Sequence, residues 1–314
     1  VRIIFAGTPD VAVPTLSALN DSKHDVVAVI TRPPARRGRG KKTFPSPVAQ
    51  YAADHGLELI ESSRFTDPSL QHDIDAYDAD LGVVVAFGAI IPPAVLTMPR
   101  LGWVNLHFSD LPRWRGAAPV QYAIWSGDAR TASSIFQLED GLDTGPVFSR
   151  LPVTIDPSET AGELLERMGR LGADQMVATV DALADGRASA HVQDTDGVTY
   201  AHMLTPAQGF IDFTQSAAEV SRHIRAFTPN PGAWTVLPDG KRLKIAGAEP
   251  TDQPTLGTGL LQVTKHEVMV GCADACVRLG QVAPAGKGWM DAAAWARGAR
   301  LSGEERVGVM ATEE

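Results

Sequence analysis

The first hundred residues alternate between short apolar runs and stretches of helical spacing. Arg2 to Ala6, Asp25 to Ile30, Leu57 to Ile60, Ala79 to Ala86 and Trp103 to Phe108 are rich in Val, Ile and Leu and read as strands. Val11 to Leu19 and Val48 to His55 repeat their apolar positions at helical spacing. Near-continuous apolar strands separated by helices form repeated βα units, because helices must cover both faces of a sheet whose side chains are apolar on both sides. The expected fold of this part is α/β, with a mostly parallel, Rossmann-like sheet. In such sheets ligands bind outside the carboxyl ends of the strands, so the residues after each strand are where chemistry is to be sought.

Further along the pattern changes. The spacing predicts a long helix from about Ser158 to Ala184, opened by Ser158-Glu159-Thr160 and stopped by Gly186. Residues 186–205 lack strong periodicity and read as a linker. Beyond Pro206, a short helix near Ala217 to Ala226 precedes five β-like runs: Ala233 to Leu237, Leu243 to Ala246, Gly259 to Val263, Val268 to Cys272 and Cys276 to Val282. Short strands with Gly and Pro turns between them suggest a small C-terminal OB-like β-barrel. The expected division is 1–185, a linker at 186–205, and 206–314.

Composition narrows the class. With 314 residues, 44% of them hydrophobic and 21% charged, the chain is long enough for two domains and fits neither a disordered nor a membrane-dominated protein. No apolar run approaches the roughly 18 residues of a membrane span, and the opening residues turn polar too soon for a signal peptide, which points to the cytoplasm. Cys272 and Cys276 are too few for a disulfide framework or a four-ligand zinc site, and read as packing residues. The net charge of −9 argues against non-specific nucleic-acid binding over the whole surface. That charge is uneven, at −8 over residues 1–205 and −1 over 206–314. Between Arg32 and Lys42 six cations occur without an acid, in a loop rich in Gly and Pro. Such a loop can follow a phosphate backbone, or it is a solvated charge run. Lys241-Arg242-Leu243-Lys244 is a second, weaker basic site.

The candidate chemistry begins with two absences. After the first strand only Gly7 stands where a dinucleotide site has three glycines, and no Walker-type loop occurs. The informative strand is Trp103 to Phe108, in which Asn105 and His107 are two apart and project from one face. An amide and an imidazole together suit acyl transfer, the Asn holding an oxygen that becomes negative and the His moving protons near neutral pH. The same spacing also fits a buried polar pair satisfied by backbone groups. The loop Ser109 to Pro119 follows, with Arg113, Trp114 and Arg115 able to stack or to meet a planar or anionic ligand. A second polar cluster, Glu139 to Gly145, carries Asp143, which could orient or charge His107 if the loops converge. Asp143-Thr144-Gly145 also fits an aspartic-protease strand, but it occurs once, in an α/β chain.

These residues resemble the methionyl-tRNA formyltransferase family. The resemblance rests on Phe5-Ala6-Gly7-Thr8-Pro9, Gly38-Arg39-Gly40-Lys41-Lys42, Ser46-Pro47-Val48, Asn105-x-His107, Leu111-Pro112-Arg113-Trp114-Arg115-Gly116-Ala117-Ala118-Pro119 and Gly141-Leu142-Asp143-Thr144-Gly145, in order along the whole chain. It implies an N-terminal formyl-transfer domain using 10-formyltetrahydrofolate, with no metal, and a C-terminal domain that helps to hold methionyl initiator tRNA. Catalytic roles fall on Asn105, His107 and Asp143. Folate binding falls on Ser109, Asp110, Leu111 and Pro112, with pocket walls at Phe87, Gly88 and Ile90. RNA contacts fall on Arg36, Arg37, Arg39, Lys41 and Lys42, with Arg39 central. A cytoplasmic monomer without membrane contact is expected. The chain departs from the family in Phe108 and Asp110, where Gly and Leu are usual, and in Thr228-Pro229-Asn230-Pro231, where the family has Asn-Pro-Trp-Pro. Two other readings remain: a folate-dependent formyltransferase or hydrolase acting on a small molecule such as an amino-sugar nucleotide, and a non-catalytic tRNA-binding protein.

Overall fold

A computed structural model describes residues 1–36, 42–301 and 303–308. The chain forms two compact units. One comprises Val1–Pro119, Thr131–Val153 and Leu165–Ala201, and the other Val120–Arg130, Thr154–Leu164 and His202–Glu314.

Among the described residues the first unit's sheet has seven strands. In spatial order they are Val147–Thr154, Arg130–Gln137, Trp103–His107, Leu81–Val85, Arg2–Gly7, Asp25–Thr31 and Leu59–Glu61. The five strands from Trp103–His107 to Leu59–Glu61 are parallel, and Arg130–Gln137 runs antiparallel to Trp103–His107. This is the mostly parallel α/β sheet that the apolar runs predict. Ile3, Ile4, Phe5 and Ala6 are wholly buried, as expected of a central strand covered on both faces. Beside it Phe65 meets Phe87 and Trp103 edge to face, at centroid distances of 5.1 and 5.4 Å, and the Trp103 indole N–H donates to the Val95 carbonyl.

Helix Pro47–Asp54 starts where Ser46 accepts the Ala49 amide, with Pro47 in the first turn, where a missing N–H costs nothing. The long helix spans Ala161–Ala184, and within it Met168, Met176 and Val180 are buried. It lies close against the sheet. A Cβ at Gly172 would stand 2.6 Å from Leu106 Cδ2, so glycine lets the helix press on the strand that carries Asn105 and His107.

Residues 186–205 hold more structure than their polar composition shows. His191 and Val147 exchange backbone hydrogen bonds, Tyr200–Ala201 pairs in parallel with Arg115–Gly116, and Gln193 is buried. Residues up to Ala201 therefore pack as part of the first unit.

In the second unit, helix Ala217–Phe227 opens on a capping box in which Ser216 and Glu219 each satisfy the other's backbone N–H. The strands form an antiparallel sheet in the order Ala233–Val236, Arg242–Pro254, Ala275–Pro284, Val268–Gly271 and Leu261–Val263, with Met290–Asp291 on Ala275–Pro284. Cys272 and Cys276 are unbonded to one another and buried in this sheet, where desolvation pushes the Cys272 thiol up to about 12. They are packing residues, as their number implies. Among the described residues no helix is long and apolar enough to cross a membrane.

Candidate active site

Strand Trp103–His107 has a neighbour on each side, so its register is fixed: Asn105 lies opposite Val84 and Phe136, and His107 opposite Ser134. Asn105 is half-buried and His107 is 5% exposed at the carboxyl end of the strand. The His107 Nε2 N–H donates to the Trp114 carbonyl at 2.9 Å. That carbonyl can only accept, which fixes the proton on Nε2 and turns Nδ1 towards the other side of the ring. There Asp143 Oδ2 stands 3.8 Å from Nδ1. The two polar loops do converge.

Both loops owe their shape to unusual backbone. Trp114 and Asp143 occupy the left-handed region, at φ 59° and 52°, a conformation that costs roughly 1 to 2 kcal/mol in an L-residue and persists only where neighbours enforce it. Trp114 is held by its amide, which donates to Thr199 Oγ1 at 2.9 Å, and by the Arg113 guanidinium 4.3 Å over its ring. The Asp143 carboxylate accepts the Gly116 amide at 2.7 Å. Gly116 has φ 119°, and a Cβ there would stand 2.6 Å from the Ala201 carbonyl oxygen, so no larger residue fits. A ring nitrogen, a carboxylate and a half-buried amide thus gather at one strand end, a donor and acceptor set suited to carbonyl chemistry.

The other predicted residues divide into interior and open positions. Ser109 is wholly buried and its hydroxyl donates to the Arg113 carbonyl at 2.6 Å, which shapes the loop. Leu111 packs with Phe136 and Val147, Phe87 is in the core, and Pro112 is half-buried. Asp110, Gly88 and Ile90 are open, Ile90 at 85% exposure. The Asp110 carboxylate faces Arg150 at 3.5 Å, and the same guanidinium donates to the Leu111 carbonyl, so an acid at this place has a local partner. Arg32 donates to the carbonyls of Phe87 and Gly88. Arg36 and Lys42 are exposed at the base of a short ladder pairing Ala35–Arg36 with Thr43–Phe44. Arg37, Arg39 and Lys41 lie outside the described residues.

Among the described residues no group of three His, Cys, Asp or Glu side chains could hold a metal ion. A cavity of about 620 Å³ in the second unit is lined by Trp125, Phe210, Asp212, Arg222 and His223 and takes in none of the candidate catalytic residues. Sequence reading missed the main-chain groups of Trp114 and Gly116 and the residues behind them, Gln193 and Thr199. Backbone donors carry no sequence signature, although the glycine at 116 was a usable signal.

The chain matches the formyl transferase family over residues 1–180 and the C-terminal domain of formyl transferases over residues 203–300. The chain is thus a formyl-transferring enzyme. It is 48% identical to methionyl-tRNA formyltransferase of Thermobifida fusca, over 98% of this chain and 99% of that protein. It is 45% identical to the protein of the same name from Mycobacteroides abscessus, over 97% and 99%. The chain belongs to the methionyl-tRNA formyltransferase family. Among solved structures the fold is shared with methionyl-tRNA formyltransferase from Clostridium thermocellum, at TM-score 0.58 and 19% identity over 79% of this chain and 92% of that one. It is shared also with WlaRD, a sugar 3N-formyl transferase, at TM-score 0.65 and 15% identity over 92% and 99%.

Proposed function

We propose that the protein transfers the formyl group of 10-formyltetrahydrofolate to the α-amine of methionyl initiator tRNA. The observation that carries this reading is the near-full-length likeness to proteins named for that reaction, through both the N-terminal and the C-terminal family regions. The alternative of a small-molecule acceptor has support only from folds shared at low identity, such as the sugar formyl transferase.

The geometry suits the chemistry. The amine nitrogen attacks the formyl carbon, the bond from that carbon to the folate nitrogen breaks, and the proton lost by the amine is matched by one gained at the departing nitrogen. A model α-amine titrates near 8, so the nucleophile needs little activation and the difficulty lies in managing charge. Asn105, half-buried beside His107, would hold the oxygen that becomes negative. His107 would carry the proton between the two nitrogens, with Asp143, 3.8 Å from Nδ1, as the counter-charge. No residue need form a covalent intermediate.

The folate is read into the crevice at the carboxyl ends of Arg2–Gly7 and Leu81–Val85, where the strand order reverses. Ala86 turns out of the second of these at φ 49°, and exposed Gly88 and Ile90 follow it, with Ser109 to Pro112 nearer the catalytic strand. The cationic loop from Arg36 to Lys42, with Arg39 central, grips the acceptor end of the tRNA, and residues 206–314, read as an OB-like domain, hold the RNA body. The same reading puts the enzyme in the cytoplasm as a monomer. Transfer of labelled formyl from the folate to Met-tRNA, run beside an amino-sugar nucleotide and beside no acceptor, tests the reading. Met-tRNA should be formylated, with a KM that rises with salt as phosphate contacts are screened. Formylation of the sugar alone, or release of formate alone, would reject it.

A further inference from the structure

Asp143 can serve His107 only if its loop holds a strained backbone in place, and the group that holds it comes from the polar stretch after the long helix. Gln193 is 7% exposed. Its side-chain amide donates to two carbonyls of the Asp143 loop, those of Asp143 itself and of Gly145, each at 2.8 Å. Its oxygen accepts both Arg115 Nη2 at 2.7 Å and Arg115 Nε at 3.2 Å. Arg115 directly precedes Gly116, whose amide holds the Asp143 carboxylate. One side chain therefore ties the loop that carries the carboxylate to the loop that carries its donor.

The orientation of this amide is determined by its neighbours. Turned over, it would set two N–H groups against a guanidinium that only donates and one oxygen against two carbonyls that only accept. No other standard side chain of that length donates twice at one end and accepts at the other. Glutamate would keep the Arg115 bonds but place an acceptor against both carbonyls, so it would release the Asp143 loop while the rest of the clamp stays.

We propose that Gln193 is a positioning residue of the transfer reaction, acting on His107 through Asp143. This rests on the reading of His107 and Asp143 as catalytic. A positioning residue and a merely structural one differ in how their loss combines with loss of the residue they position. The experiment is a double-mutant cycle of Gln193→Glu and Asp143→Ala in the full chain, with formyl transfer to Met-tRNA as the readout and a crystal structure of Gln193→Glu beside it. In the wild-type background Gln193→Glu should lower kcat at least about tenfold, the scale of a misplacement near one ångström, with both KM values within about twofold. In the Asp143→Ala background it should lower kcat by no more than about twofold. The Asp143 carboxylate should leave the Gly116 amide in the variant's structure. Losses that multiply, a kcat that is unchanged, a fall in melting temperature alone, or a carboxylate still on Gly116 would overturn the proposal. Gln193→Met, similar in volume and without hydrogen bonds, takes the variant's place if the introduced charge prevents folding. A wild-type chain that does not formylate Met-tRNA would reject the proposed function, while the variant's structure would still decide the role of Gln193.

Discussion

His107 in the first unit and His223 in the second are both imidazoles packed among aromatic rings, yet their surroundings differ in kind. His107 stands edge-on to Phe136, with its Nε2 satisfied by a carbonyl and Asp143 beside its Nδ1. His223 stacks on Phe227 at 4.5 Å and tilts against Trp125 at 5.4 Å, and among the described residues its buried Nε2 finds no partner. Burial pushes the His223 ring down to about 4, against a weaker upward pull from the Gln208 and Gly209 carbonyls and the Asp212 carboxylate. The Nε2 of His107 is thus satisfied and that of His223 is not, and a carboxylate stands 3.8 Å from the other ring nitrogen of His107. At His223 the nearby carbonyls and the Asp212 carboxylate do not offset the cost of burying a charged ring, which leaves it a liability in acid.

The contrast is broken most severely at the His107 end. His107→Ala or Asn105→Ala should lower turnover at least about 10²-fold under saturating substrates while the fold survives, as circular dichroism of the purified variants would show. A folded variant with near wild-type turnover would remove that residue from the chemistry.

At His223 the expected effect is on stability. The neutral ring is favoured in the folded chain, so below its ordinary value of 6.5 the unfolded chain takes the proton first. Stability from this residue is complete above that value and is lost as pH falls towards about 4. Between pH 7 and pH 5 the loss should be about 2 kcal/mol, read by urea unfolding at the two values. His223→Phe should abolish that share of the slope, and an unchanged acid-side slope would contradict the account.

The smallest effect is expected in the His107 loop itself. The Asp110 carboxylate is exposed and faces Arg150, so Asp110→Leu should change the KM for the folate by less than about twofold. A tenfold improvement would mean that Asp110 faces the glutamate carboxylates of the folate instead.

Legibility in the sequence followed the source of each element's stability. The parallel strands were readable because they are buried on both faces and so are apolar throughout, and the helices Ala161–Ala184 and Ala217–Phe227 because they are long and amphipathic. Helix Pro93–Leu96, 4 residues long, is too short to build a periodic pattern and was not anticipated. In the candidate site, the alternation on one strand put Asn105 and His107 on one face, but it fits a structural polar pair equally, and only the family resemblance singled them out. That Asp143 would meet His107 could only be stated conditionally, since it depends on loop closure. Gln193 was invisible, because its bonds go to carbonyls and to a residue far away in sequence, so its own neighbourhood reads as linker.

The pairing of Tyr200–Ala201 with Arg115–Gly116 has a consequence for the order of events during synthesis. Arg115, Ala117 and Ala118 donate their amides to the carbonyls of Thr199 and Ala201, and the Trp114 amide goes to Thr199. A nascent chain that has reached residue 185 already contains Asn105, His107 and Asp143, but the partners of those four amides have not been made. These loops are complete only after residue 201 has left the ribosome, so a product stopped at the end of the long helix carries all three candidate side chains and lacks the strand that holds their loops in register.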